Sequence, residues 1–157
     1  MKEIKAVISK TNTPFPIALV VSTFNQPITT ALKEGALQRL IELGFIENQI
    51  TVVEVPGAVE IPFVAQLLAK SNNGIKAIIA LGAVIRGETS HYDYVCDQVS
   101  QGCQRVMLDF DVPVIFGVLT TENEEQAWDR LGGKHGHKGK DAADCALMMY
   151  SIQNQLT

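Results

Sequence analysis

"KAIIALGAVIRGETSHYDYVC", residues 76–96, decides how this chain folds. After Lys76 the run is apolar or glycine through Ile85, without polar alternation, as in a parallel strand covered on both faces. From His91 onward the stretch is suited to a helix. Between them lies a glycine-bearing turn, so the whole reads as strand, loop and helix in the manner of a phosphate cradle. Gly82-x4-Gly87 matches a nucleotide-binding loop in spacing, but Glu88 stands where lysine would be. A carboxylate there repels a triphosphate, which excludes an NTPase. Ser90-x-x-Asp93 reads as a capping box and predicts a helix N-terminus just after Thr89. Free N–H groups at that end, with the Thr89 hydroxyl, can hold a single phosphate.

Three further apolar runs repeat the strand pattern: "PIALVVSTF" (16–24), "QITVVEVPG" (49–57) and "VPVIFGVLT" (112–120). Helical patterns are expected over 28–43, 60–70, 91–110, 123–131 and 141–155. Alternating strands and helices imply an α/β domain, doubly wound in three layers around a four-stranded parallel sheet. The length, 157 residues, fits one domain over 1–157, with 1–15 as an N-terminal arm. Two helical segments, "EIPFVAQLLAK" and "AADCALMMYSI", keep little polar face, which predicts contacts between subunits.

The totals exclude several classes of function. A net charge of −4 gives no attraction to nucleic acid. The longest apolar run falls far short of the roughly 18 residues that suggest a membrane span, and no secretory signal is visible, so a cytoplasmic location is expected. Cys96, Cys103 and Cys145 lack CxxC spacing and read as small buried hydrophobes, with no metal site. Cys96 and Cys103, seven residues apart on one helix, stand about 10 Å apart, too far for a disulfide.

In an open α/β sheet, ligands bind beyond the carboxyl ends of the strands. Those ends carry Phe24; Ala58, Val59 and Glu60; Ala83, Val84, Ile85, Glu88 and Thr89; and, further back on the last strand, Phe116. The set suits a flat polar heterocycle better than a metal or a polymer. His91 opens the following helix, where an imidazole can take or give a proton. It reads equally as a packed or capping histidine until its place behind the glycine loop is considered. A second cluster, "RLGGKHGHKGK" (130–140), mixes glycine and cations and suggests an anion site with Arg130 and Lys138 foremost. A solvated basic loop is its rival, above all for Lys134, His135 and His137. For Glu88, a plain solvated carboxylate competes with a role in the site.

"TFN" (23–25), "VPGAVEIP" (55–62), "ALGAVIRGETSHYDYVC" (80–96), "VPVIFGVLTTEN" (112–123) and "GHKGKDAA" (136–143) occur in the order and spacing of the 6,7-dimethyl-8-ribityllumazine synthases, and the chain resembles that family from about Pro16 onward. The resemblance implies a flavodoxin-like core and a homopentamer, assembled in some members into an icosahedral shell of sixty subunits, with riboflavin synthase as a candidate partner. It implies the penultimate step of riboflavin biosynthesis: 5-amino-6-(D-ribitylamino)uracil condenses with 3,4-dihydroxy-2-butanone 4-phosphate, without metal or organic cofactor. On the matching positions, Phe24 would stack on the pyrimidine, and Ala58, Val59 and Glu60 would meet the ribityl chain. Ala83, Val84 and Ile85 would line the ring pocket, and Phe116 would come from an adjacent subunit. Glu88 and Thr89 would meet the phosphate, Arg130 and Lys138 would clamp it across the interface, and His91 would shuttle protons. Val59 replaces a common aromatic, and His135 and His137 stand where smaller or amide residues are usual. The alternative is a non-catalytic flavin- or lumazine-binding shell protein of the same fold.

Overall fold

The computed structural model describes residues 1–8 and 14–157. Four parallel strands, β1 (Ile17–Ser22), β2 (Ile50–Val55), β3 (Ala77–Ile85) and β4 (Val114–Thr121), form one sheet in the order β2-β1-β3-β4. That is the first part of the flavodoxin-like order, in which the chain reverses its direction of travel between β1 and β3. The helices are α1 (Ile28–Glu42), α2 (Ile61–Lys70), α3 (His91–Phe110), α4 (Glu124–Trp128) and α5 (Lys138–Leu156).

Strand residues alternate between two cores, as the period of two requires. Ile17, Leu19, Ile79 and Leu81 pack with Leu32, Leu40, Ala143 and Leu147 of α1 and α5. Ala18, Val20, Ile78 and Ala80 pack with Ile61 and Ala65 of α2 and Val99 and Cys103 of α3. The sheet is therefore the middle of three layers, and its central strands are apolar on both faces for that reason. Small residues bring the helices close. Gly117 of β4 leaves room for Ala142 of α5, and Gly139 of α5 sits against the Leu32 carbonyl of α1.

Gly82 lies inside β3, as the apolar run through Ile85 implied, and an added Cβ there would stand 2.9 Å from Ser22 Oγ. Other local expectations need correction. The capping box does not form. The Ser90 side chain caps nothing, Thr89 Oγ1 accepts the His91 N–H at 3.3 Å, and Asp93 pairs with Arg86 instead. The stretch 130–140 is no open loop: β5 (Leu131–Gly133) and β6 (Gly136–His137) form an antiparallel pair leading directly into α5. The turn is possible because Gly132 and Gly136 take φ of +97° and +74°. Helix α5 thus starts three residues before the expected position, and α4 is shorter than its expected span.

Candidate active site

Beyond the carboxyl ends of β1, β2 and β3, at the reversal point, lies a cleft of about 560 Å³. That is within the size range of small-molecule sites. Phe24 follows β1 and is 71% exposed, an aromatic side chain offered to solvent. Ala58 and Val59 come from the turn after β2, and Ala83, Val84 and Ile85 from the end of β3. Thr89 and His91 close the cleft at the start of α3. The structure thus brings together eight of the thirteen expected site residues.

The cleft also uses residues that sequence reasoning passed over. Asn25 takes a left-handed conformation, φ 69°, and donates from Nδ2 to the Ala83 carbonyl at 2.8 Å, which fixes the Phe24 turn to the end of β3. Tyr92 and Val95 join the wall from α3, and Glu124 from the start of α4. For Val95 the signal was helical spacing, one turn beyond His91. Glu88 is exposed, and its side chain is not part of the wall. Glu60 folds back toward Gly57, its Oε1 3.5 Å from where a Cβ on that glycine would stand.

An arginine clasp holds the loop between β3 and α3. Arg86 donates from Nε to Glu122 Oε2 at 2.7 Å and from Nη2 to Asp93 Oδ1 at 3.4 Å, and its guanidinium lies 4.3 Å from the Tyr92 ring centroid. The bond to Glu122, ahead of other influences, raises the Arg86 pKa. Burial pushes the Tyr92 hydroxyl up, and the nearby Cys96 adds to that shift.

The remaining expected residues gather elsewhere. Phe116 on β4, Arg130 at the foot of β5 and Lys138 at the head of α5 line a second cleft of about 410 Å³, with His135 and Asp141. Arg130 Nη1 donates to the Gln126 carbonyl at 2.8 Å. Among the described residues, neither Arg130 nor Lys138 forms an ion pair, so both cations are open to an external anion. On one chain, then, an aromatic cleft and a cationic cleft share no wall residue. Among the described residues no cluster of three or more His, Cys, Asp or Glu side chains could hold a metal, and no helix is long and apolar enough to cross a membrane.

Comparison with known proteins shows the family. The family model for 6,7-dimethyl-8-ribityllumazine synthase matches residues 14–154. Three curated 6,7-dimethyl-8-ribityllumazine synthases of Coxiella burnetii, from strains CbuG_Q212, RSA 493 / Nine Mile phase I and Dugway 5J108-111, are each 56% identical over 146 residues, covering 93% of this chain and 96% of theirs. With a match running from before β1 nearly to the end of α5, and the motif-bearing turns converging beyond the strand ends, the chain belongs to the 6,7-dimethyl-8-ribityllumazine synthase family.

Proposed function

We propose that the lumazine synthase activity of this family member in riboflavin biosynthesis runs through a site shared between neighbouring copies of the chain. The observation that carries this reading is the separation of the two clefts, one fitted to a flat ring and the other to a phosphate. Phe24 offers its face to the pyrimidine of 5-amino-6-(D-ribitylamino)uracil, and Ala83, Val84 and Ile85 shape the ring pocket. Ala58, Val59 and Glu60 meet the ribityl chain. The start of α3, with Glu88 and Thr89 before it, receives the phosphate of 3,4-dihydroxy-2-butanone 4-phosphate. Arg130 and Lys138 of an adjoining copy close over that phosphate, and Phe116 comes with them.

The uracil amine attacks the ketone, and loss of water gives an imine. Elimination then expels inorganic phosphate, and attack by the ribitylamino nitrogen closes the second ring with loss of another water. His91, at the cleft wall, takes and returns the protons these steps exchange. Holding two small reactants face to face supplies the larger share, about 7–11 kcal/mol in favourable cases. No step needs a metal or an organic cofactor.

Exposed apolar side chains support an assembly. Phe63 and Leu67 of α2 are 64% and 48% exposed, an unpartnered face on a helix that already buries Ile61 and Ala65. A pentamer, free or built into a sixty-subunit shell, would cover it, and riboflavin synthase is the partner such a shell would enclose. The protein then acts in the cytoplasm, where its substrates are made.

The test is direct. Purified protein is mixed with both substrates in the presence of a chelator, and lumazine fluorescence is followed alongside light scattering. Product formed by an oligomer is expected; a monomer that turns over at full rate overturns the shared site. Mixed assemblies sharpen the result. Phe24→Ala subunits and Arg130→Ala subunits, each poorly active alone, should regain activity when unfolded and refolded together.

A further inference from the structure

His137 is unaccounted for by either cleft, yet its ring occupies the junction of three elements. It ends β6, caps α5, and lies over Gly35 of α1, where any Cβ would collide with the imidazole. Nδ1 accepts the N–H of Gly139 at 3.1 Å and that of Lys140 at 3.4 Å. A ring that accepts at Nδ1 carries its proton on Nε2. The same short segment sets the cations: the Lys138 N–H donates to the Arg130 carbonyl at 2.8 Å, and His137 faces Leu131 across the β5–β6 pair. Gly139 is pressed on the Leu32 carbonyl, so the head of α5 has no room to shift toward α1.

We propose that His137 is a positioning residue for the phosphate substrate: by capping α5 and wedging against Gly35, it holds Lys138 and Arg130 in register. This rests on the functional reading above. It assigns a task to one of the two histidines that the family resemblance left unexplained.

A dependence on pH follows. Burial, and secondarily Lys140, lower the His137 pKa from its ordinary 6.5, while Asp141 opposes them. On α1, Lys33 is engaged by Glu54, Arg39 is engaged by Asp144 and Glu42, and Glu34 is exposed. On the hairpin, Lys134 and His135 are exposed near the turn. The fold therefore favours the neutral ring. Its contribution is whole above the ordinary value and is lost as pH falls through the lower folded value. A proton on Nδ1 turns the acceptor into a donor facing two N–H groups.

The experiment compares wild type, His137→Ala and His137→Asn, the last keeping a capping acceptor that does not titrate. His137→Ala should raise KM for the butanone phosphate by about two- to thirty-fold, the range a lost N-cap implies. KM for the uracil should be unchanged, and His137→Asn should restore the wild-type value at neutral pH. As pH falls, KM for the butanone phosphate should climb more steeply in wild type than in His137→Asn. An unchanged KM in His137→Ala, an equal rise for both substrates, or coinciding acid limbs overturns the proposal. If wild type turns nothing over, the functional reading fails. Calorimetric titration with inorganic phosphate then decides: weaker binding by His137→Ala and retained binding by His137→Asn support the positioning role, and equal binding by all three removes it.

Discussion

Asn25 ties the first strand's turn to the third strand: its Nδ2 donates to the Ala83 carbonyl at 2.8 Å, from a backbone held at φ 69°. The turn that carries Phe24 is held by this bond and by the Phe24 N–H donating to the Pro56 carbonyl at 3.0 Å. Asn25→Ala loses the bond, worth about 0.5–1.5 kcal/mol, and places alanine where a left-handed residue costs about 1–2 kcal/mol. Asn25→Gly loses only the bond. Urea unfolding should rank the two alanine-last, and KM for the uracil should rise in both. Equal stability of the two variants would contradict the strain.

His91→Ala should slow turnover without abolishing it, within the roughly 100- to 10,000-fold that one general acid–base supplies. Arg130→Ala should impair use of the butanone phosphate specifically, since a hydrogen bond to a charged group is worth about 1.5–3 kcal/mol. Steady-state kinetics with each substrate varied separate the two. Complete loss in His91→Ala with both substrates still bound, or unaltered kinetics in Arg130→Ala, removes that residue from its role.

Gly117→Ala tests the close packing of β4 against β3 beneath α5. The new methyl would stand 2.7 Å from Leu81 Cδ2 and 2.8 Å from the Ala80 carbonyl oxygen, which as backbone cannot rotate away. Overpacking of this kind costs about 1–3 kcal/mol. The urea midpoint should drop with the slope unchanged. An unaltered midpoint means the layers are looser than the structure shows.

The strands were legible from their Val- and Ile-rich runs, and β1 to β4 lie within two residues of their expected ends. Burial on both faces holds for β1 and β3, whereas the edge strand β2 leaves Thr51, Val52 and Glu54 exposed. The β5–β6 hairpin was not legible. Beyond Leu131 its residues are glycine, lysine and histidine, without apolar periodicity, and its turn depends on two positive-φ glycines that look like flexible loop in a sequence. The early start of α5 was hidden for a related reason: its cap is an imidazole rather than a short polar side chain, and its second residue is glycine. Ser90 and Asp93 had capping-box spacing, but Arg86, seven residues before Asp93 across the turn, pairs with the carboxylate. Local spacing carries no information about such a competitor.

Cys103 bears out its reading as a buried small hydrophobe, whereas Cys96 and Cys145 are only half-buried. Burial pushes the Cys103 thiol up to about 12, and burial raises Cys96 as well. Since the thiolate is the reactive form, Cys103 in the native protein should resist a thiol-directed disulfide reagent at mildly alkaline pH and react at once after unfolding. Peptide mapping of the labelled protein checks this. Rapid native labelling of Cys103 would place it outside the core.

Where α5 meets α1, Gly139 stands directly on main-chain atoms, the Leu32 carbonyl and the Ala36 nitrogen, while against the sheet Gly117 leaves space for the Ala142 methyl. The footing of Lys138 is thereby built largely of main chain, which an exchange of side chains in the cationic cleft leaves in place. Retargeting the protein to a different anion becomes a matter of exchanging polar side chains of the rim, Arg130, His135, Lys138 and Asp141, while the foundation stays untouched.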